Sequence, residues 1–181
     1  MNRRALAGLA VPVLLLVGGC GGGSGTAHDP GGSSSAALVP LAGDGFTMAL
    51  PGPATSSVQS FATKVGTVKA RIWTDAGGAD AYVVAMNSYP AGTRVDLDGA
   101  VNGVAGNFGG SVSANTSTTF QGHPARHARI AGTSSGSAVT VYLLVVDVDG
   151  RLFQLQYLRK GAGSSTTPSV LAQVEDSVRF G

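Results

Sequence analysis

Hydrophobic and polar residues divide the chain into three segments. Residues 5–17 form an uncharged apolar run, and the stretch from there to residue 37 is almost entirely glycine, serine, threonine, alanine and proline. From residue 38 to the C-terminus, apolar and polar positions mostly alternate, which is the period of a β-strand. We therefore interpret 1–19 as a leader, 20–37 as a linker and 38–181 as one domain of common size.

Alternation predicts seven strands within the domain. Several are bounded by glycine or proline turns, such as Pro51-Gly52-Pro53 after the first and Asp149-Gly150 before the last. One strand, 138–146, is apolar or β-branched on both faces, as is typical of a central strand covered on two sides. The predicted strands are 46–50, 56–64, 66–74, 79–88, 125–131, 138–146 and 152–158.

Two windows have helical spacing instead. The first follows Asp96, ends at Gly109 and carries apolar residues three or four positions apart, at Leu97, Val101, Val104 and Phe108. The second follows Thr167-Pro168, an N-cap and first-turn pair, and its apolar stripe is Leu171, Val174 and Val178. Strands and helices that do not alternate regularly indicate the α+β class.

The apolar run of the leader stops just before Cys20, the single cysteine of the chain. Arg3 and Arg4 form a positively charged start, and Gly18-Gly19 supply small residues immediately before the cysteine. This arrangement resembles the lipobox of bacterial lipoproteins. The resemblance implies cleavage before Cys20, lipidation of its thiol, and anchoring at the extracytoplasmic face of the cell membrane.

Two other interpretations of the leader account for fewer of its features. A membrane-spanning helix needs about 20 apolar residues, whereas residues 5–19 number 15, contain Pro12 and end in glycines. An ordinary secretory peptide would leave Cys20 unexplained, because a lone thiol in an oxidising compartment has no partner for a disulfide. After lipidation, the linker would act as a flexible tether with a reach of roughly 20–25 Å.

Removal of the leader leaves the chain without net charge. Without Arg3 and Arg4, ten basic residues face ten acidic ones. No basic stripe remains that would indicate a nucleic-acid partner. We expect a monomer that needs no cofactor, with partners limited to the membrane, through the anchor, and an envelope protein or apolar ligand.

Two motifs resemble catalytic or metal sites. Residues 132–136 match the G-x-S-x-G pattern with Ser134 at its centre, but the pattern requires a strand-to-helix elbow and here lies between two predicted strands. We interpret it as a hairpin loop. His123 and His127 have the spacing of a helical metal site, yet on a strand they lie roughly 13 Å apart. They are predicted to be surface histidines, one of which could touch a ligand.

The strand at 66–74 has an unusual second face. Its alternation places Lys69, Arg71 and the single tryptophan, Trp73, together on one side. This face is a candidate partner-binding site, because tryptophan and arginine are enriched in binding hot spots. In the alternative interpretation, the lysine and arginine stems cover Trp73 and keep an edge strand soluble.

The order of elements from residue 45 to residue 180 resembles the PsbP-like α/β/α sandwich. The resemblance is carried by FTMALPGP at 46–53, YVVA at 82–85, the central helix, GHPA at 122–125, DGRLFQL at 149–155 and SVRF at 177–180. It implies a single antiparallel sheet of about six or seven strands flanked by helices. Family members include an extrinsic subunit of photosystem II and bacterial lipoproteins such as the mycobacterial LpqN group, and they act mainly in binding or assembly.

The expected function is therefore that of a non-enzymatic, lipid-anchored binding or assembly module outside the cytoplasm. A carrier or sensor for a small apolar ligand or envelope lipid, held between helix and sheet, is the second hypothesis. A hydrolase would require a base near Ser134 and a nucleophile elbow, and the sequence provides neither.

Overall fold

The computed structural model describes residues 37–63, 66–76, 80–163 and 166–181. The predicted signal peptide, Cys20 and nearly all of the tether lie outside these residues. Lys64 and Ala79, at the ends of two predicted strands, also lie outside them. Within the described ranges, no helix is long and apolar enough to cross a membrane.

These ranges form a mostly β architecture with two helices. All seven predicted strands and both predicted helices are present, and three further strands, β1, β6 and β10, were not predicted. The strands are β1 Val39–Gly43, β2 Phe46–Leu50, β3 Thr55–Thr63, β4 Gly66–Asp75, β5 Asp80–Ser88, β6 Ser111–Phe120, β7 His123–Ser134, β8 Ser137–Val148, β9 Arg151–Lys160 and β10 Arg179–Phe180, and the helices are α1 Leu97–Asn107 and α2 Ser169–Ser177.

The strands form two antiparallel sheets, so the prediction of a single sheet was wrong. The main sheet has seven strands in the order β3-β4-β5-β9-β8-β7-β6, and the second has the order β1-β2-β10. The second sheet exists because residues 39–43 fold back on β2 and because the C-terminal pair Arg179-Phe180 adds to its other edge. Both segments are too short or too mixed in hydropathy for alternation to reveal them.

Helix α1 covers one face of the main sheet above β6, β7 and β8. The carboxylate of Asp96 accepts a hydrogen bond of 2.9 Å from the backbone nitrogen of Gly99, which caps the N-terminus of the helix. Both carboxylate oxygens of Asp98 accept hydrogen bonds of 2.8 Å from Arg126 on β7. Gly110 and Gly132 allow the end of α1 to approach β7, since a Cβ at either position would overlap neighbouring backbone.

The second sheet and α2 cover the opposite face. Phe46, Met48 and Leu50 of β2 are buried against it, together with the apolar stripe of α2. Ser177 joins the two elements, since its Oγ accepts a hydrogen bond of 2.8 Å from the backbone nitrogen of Ala49. The N-cap of α2 is Pro168, and no side chain caps the helix there, so the N-cap predicted for Thr167 was wrong.

Trp73 is a core residue, which corrects the partner-binding prediction for this position. It shares a face with Lys69 and Arg71, as the alternation predicted, but only 5% of its surface is exposed. Its ring lies edge-on to that of Phe46 at a centroid distance of 5.1 Å. The β1–β2 hairpin covers this part of the second face, so a partner would not reach the indole.

Replacement of Trp73 tests this placement. We expect Trp73→Ala to lower the free energy of unfolding by about 3–5 kcal/mol, because it leaves a large cavity between the sheets. The matched variant Lys69→Ala, at an exposed position of the same strand face, should change it by less than about 0.5 kcal/mol. Denaturant unfolding measures both, and a small loss for Trp73→Ala would contradict the burial.

Candidate functional site

An open groove of about 490 Å³ runs between α2 and the β6–β7–β8 side of the main sheet. Phe180 of the second sheet contacts Phe120 and His123 at one end of β6 and β7, and α2 stands beside the part of these strands that lines the groove. The antiparallel register brings side chains from separate strands into one row, since Thr116 pairs with His127 and Arg129 pairs with both Ala114 and Tyr142. The groove is thus built by strand pairing rather than by one local motif.

The two walls of the groove differ in chemistry. The sheet side supplies polar groups from Thr116, His127, Arg129 and Tyr142, and α2 supplies Leu171, Ala172 and Glu175. Thr167, which precedes α2, also lines the groove. A carboxylate, a guanidinium, an imidazole and an apolar strip therefore share a space of small-molecule size.

His127 and Glu175 connect β7 to α2 across the groove. The imidazole Nε2 lies 3.3 Å from a carboxylate oxygen of Glu175, and 45% of the histidine side chain is exposed. The hydrogen bond to Glu175 raises the pKa of His127 above its ordinary value, against the opposing effect of burial. Protonation of His127 therefore strengthens the link between helix and sheet.

Arg129 is oriented by an irregularity in β6. The register shifts between Val112 and Ala114, which makes Ser113 the extra residue of a β-bulge. Ser113 donates its hydroxyl to the carbonyl of Arg129 at 3.0 Å and accepts a hydrogen bond from the Nε of Arg129 at 3.1 Å. The bulge thus places a hydroxyl where it holds the guanidinium on the groove side.

Tyr142 belongs to a row of three tyrosines on neighbouring strands. Its ring lies 5.8 Å from that of Tyr157, which lies 4.9 Å from that of Tyr82. The hydroxyl of Tyr157 donates a hydrogen bond to Asp80. Burial raises the pKa of Tyr157 and of Tyr82 well above the ordinary value, so both stay protonated and neutral. Tyr142 is the member of this row that lines the groove.

The G-x-S-x-G match and the histidine pair both involve strand β7. Ser134 ends β7 and Ser137 begins β8, so the G-x-S-x-G match forms a hairpin loop, as predicted. His123 and His127 are both on β7, which confirms the strand. They have different neighbours: the ring of His123 contacts that of Phe180 at 5.5 Å, and His127 faces Glu175 in the groove.

Lys69 and Arg71 are the exposed remainder of the predicted partner-binding face. Arg71 forms an ion pair of 3.0 Å with Asp44 in the β1–β2 turn. Val58, opposite Arg71 on β3, is 62% exposed. A role for Lys69 and Arg71 in partner binding stays a prediction.

Sequence reasoning missed most of the groove. His127 was noted as a residue that could touch a ligand, but Arg129, Tyr142 and Glu175 were not. They lie on two strands and a helix, and β6 was not predicted at all, so the register that joins them could not be deduced. The approach of an arginine to a serine across a bulge leaves no signal in a single sequence.

Comparison with solved structures identifies the fold. The solution structure of cyanobacterial PsbP (CyanoP) from Synechocystis sp. PCC 6803 is similar to this chain with a TM-score of 0.54 and 14% sequence identity. The match covers 84% of this chain and 98% of that one. The protein therefore has a PsbP-like fold, and at this identity the likeness concerns the fold alone.

Two further structures from Pseudomonas aeruginosa have lower scores. The immunity protein TplEi of a type VI secretion system, complexed with "L" peptide, has a TM-score of 0.39 at 12% identity and covers 70% of this chain and 50% of that one. Protein PA94, of unknown function, has a TM-score of 0.34 at 11% identity and covers 77% and 89%. No family model matches the sequence, and no curated protein matches it.

The pair of His127 and Glu175 should make stability depend on pH. Because its pKa is raised in the folded state, His127 contributes stability at pH values below the ordinary histidine pKa of about 6.5, and this contribution disappears as pH rises through the raised pKa. We expect His127→Gln to lower the free energy of unfolding by about 0.2–1 kcal/mol at pH 5.5 and by less at pH 9.

Thermal unfolding at the two pH values measures this difference. His123→Gln, on the same strand but against the ring of Phe180 rather than a carboxylate, is the control for the loss of an imidazole from β7. An equal loss at both pH values for His127→Gln would show that the ion pair does not contribute.

Proposed function

We propose that this protein is a lipid-anchored, extracytoplasmic binding or assembly module without enzymatic activity, in the broad group of PsbP-like proteins that includes LpqN-type lipoproteins. The observation that supports this most directly is the open groove beside α2, where polar and charged side chains from the sheet and the helix converge. Binding residues on regular elements are held more firmly than residues on loops. The lipobox resemblance supports the location.

The geometry favours recognition at the surface of the domain. The layers on both faces of the main sheet consist of packed, buried side chains. A ligand would therefore lie in the groove, in contact with solvent on one side. An envelope protein could reach the same groove with a side chain or chain terminus, and the proposed tether would let the domain meet such a partner away from the lipid surface.

A carrier or sensor for a small apolar ligand is the second candidate. Leu171 and Ala172 give one wall of the groove an apolar strip, and the groove volume lies in the range of about 300–1,000 Å³ found for small-molecule sites. A native mass spectrum of the protein purified from its own host distinguishes the two. A retained lipid or small apolar molecule would favour the carrier.

The anchor is tested at Cys20. We expect Cys20→Ser to abolish metabolic labelling with radioactive palmitate and to prevent correct processing, because the thiol is the point of lipid attachment. Fractionation of cells followed by immunoblotting measures processing and membrane retention together. Palmitate labelling that persists in Cys20→Ser would show that the lipobox interpretation is wrong.

The absence of hydrolase activity is tested at Ser134. We expect no labelling of the protein by a serine-reactive fluorophosphonate, because Ser134 lies in a strand-to-strand hairpin rather than at a helix start. Ser134→Ala should leave the melting temperature within about 2 °C, as expected for a substitution in a surface hairpin. Stoichiometric labelling that Ser134→Ala removes would favour an enzyme instead.

A further inference from the structure

We propose that the edge strand β3 binds an extended acidic segment of an envelope protein, which adds to the main sheet as a further strand and places its carboxylates beside Lys69 and Arg71. The inference rests on the proposed binding function and deepens it by naming the surface and the class of partner.

The unpaired edge of β3 is the first argument. The strand is the last in the order of the main sheet, so one of its edges pairs with no other strand of the described residues. All nine of its residues pair with β4 without a register shift, and its sequence TSSVQSFAT contains no charge and no proline. Charges, prolines and bulges are the features that commonly keep a further strand away from a sheet edge. An extended segment can therefore add to β3 through main-chain hydrogen bonds.

The other edge of the main sheet differs from β3. Strand β6 contains the bulge at Ser113, which interrupts its ladder with β7. The side chain of Asn115 on β6 also donates a hydrogen bond of 3.0 Å to Asp98 of α1. An irregular edge that is tied to a helix is a poorer template for strand addition, so the proposal concerns β3.

The face beside the β3 edge carries cations. The antiparallel register places Val58 opposite Arg71 and Ser60 opposite Lys69, so all four side chains are on the same face of the sheet. Val58 is 62% exposed, and Lys69 is exposed and forms no ion pair with any described residue. An added strand would lie roughly 10 Å from β4, since neighbouring strands are about 4.8 Å apart. Extended lysine and glutamate side chains together span this distance.

Charge complementarity indicates an acidic partner. Lys69 pairs with Ser88 on β5, and Ser88 pairs with Arg151 on β9, so the lysine and this arginine lie in one row across the sheet. Arg151 donates a hydrogen bond of 3.2 Å to the backbone carbonyl of Asp44, whose carboxylate pairs with Arg71. Three cationic side chains and one carboxylate therefore share this surface, which keeps a positive charge. Acidic side chains are attracted to it.

The opposite face of β3 determines the alternation of the partner segment. Phe61 is partly buried and packs against the core on the α1 side of the sheet. Successive side chains of an added strand would point to the two faces in turn. A segment that alternates acidic and apolar residues would thus place its carboxylates beside Lys69 and its apolar side chains beside Phe61.

The position of the surface favours a protein over lipid headgroups. The proposed tether joins the domain at the start of β1, where Val39 pairs with Leu50. Asp44 and the cations that contact it lie at the β1–β2 turn, at the other end of this hairpin and about 13 Å along the strand. The cationic surface therefore lies at the end of the hairpin opposite the tether.

Titration of the full Cys20→Ser chain with a fluorescent nine-residue peptide that alternates glutamate and valine tests the proposal. We expect this peptide to bind at least tenfold more tightly than the same peptide with lysine in place of glutamate, because lysine meets like charge. N-methylation of the backbone nitrogens of the glutamate peptide should weaken its binding at least tenfold, since the added strand then has no hydrogen-bond donors.

Three variants locate the binding. Lys69→Glu should weaken the binding of the glutamate peptide at least tenfold, and Val58→Glu should do the same because it places like charge on the edge. Lys160→Glu makes the same change of net charge as Lys69→Glu, at an exposed position at the end of β9, and should leave binding within twofold of the parent. Thermal unfolding verifies that each variant is folded, and exposure of Lys69 and Val58 means that neither change opens a cavity.

Hydrogen exchange separates strand addition from charge attraction alone. Slower exchange of the amides of residues 55–63 in the complex would support the proposal. Unchanged exchange at β3 with the peptide bound would overturn it. Parent-like binding by Lys69→Glu, or equal binding of the glutamate and lysine peptides, would overturn it as well.

Other occupants of this surface have their own signatures. A dimer in analytical ultracentrifugation that Val58→Glu dissociates would assign the edge to a second copy of the chain. Protection of the β3 amides in the monomer without peptide would assign the edge to a segment of the chain before residue 37. Lys69-dependent flotation with vesicles that contain phosphatidylglycerol would assign the cations to a lipid surface. Each of these results would overturn the proposal.

Failure at β3 would leave the proposed binding function intact, because the groove beside α2 is a separate surface. Failure of the binding function itself would appear as an absence of any partner after crosslinking in the envelope and of any retained ligand in the native mass spectrum.

Discussion

The burial of the main sheet on both faces is the constraint on which the rest of the structure depends. Strand β9, at the centre of this sheet, is buried continuously from Leu152 to Leu158. One of its faces packs toward α1 and the other toward the second sheet and α2. A seven-stranded sheet exposes two large apolar surfaces, and two short helices cannot cover both. The β1–β2 hairpin and the C-terminal strand cover the middle of the second face, and both pair with β2, which brings the termini of the domain together.

This two-sided burial explains where alternation predicted structure well and where it failed. Alternation located seven strands, but it could not assign a face to solvent when both faces are covered. Alternation correctly placed Trp73 and Ala70 on opposite faces of β4, but both residues are buried, so Trp73 belongs to the core rather than to the surface. Gln154 and Gln156 alternate with the aromatic residues of β9, yet both are at most 3% exposed and contact each other beneath the α1 layer. Strand β6 was missed because it is an edge strand rich in serine and threonine.

The groove is a consequence of the incomplete cover. The second sheet and α2 are narrower than the main sheet, so strands at both ends of the second face remain open. At the β3–β4 end the open area carries Lys69, Arg71 and an exposed valine. At the β6–β8 end the nine-residue helix α2 stands beside the open strands and creates a concave surface. A fold of this kind therefore provides a candidate binding site without any loop inserted for the purpose.

The charge distribution determines what such a site can recognise. Because the mature chain, as proposed, has no net charge, it has little long-range field to attract a ligand, and screening limits surface charges to about 10 Å. Recognition then depends on individual side chains at the site. Arg126 and Arg129 are three residues apart on β7, but the pleat directs one toward an aspartate and the other toward the groove. The bulge at Ser113 orients the second one, so a single inserted residue in β6 determines where a cation meets the groove.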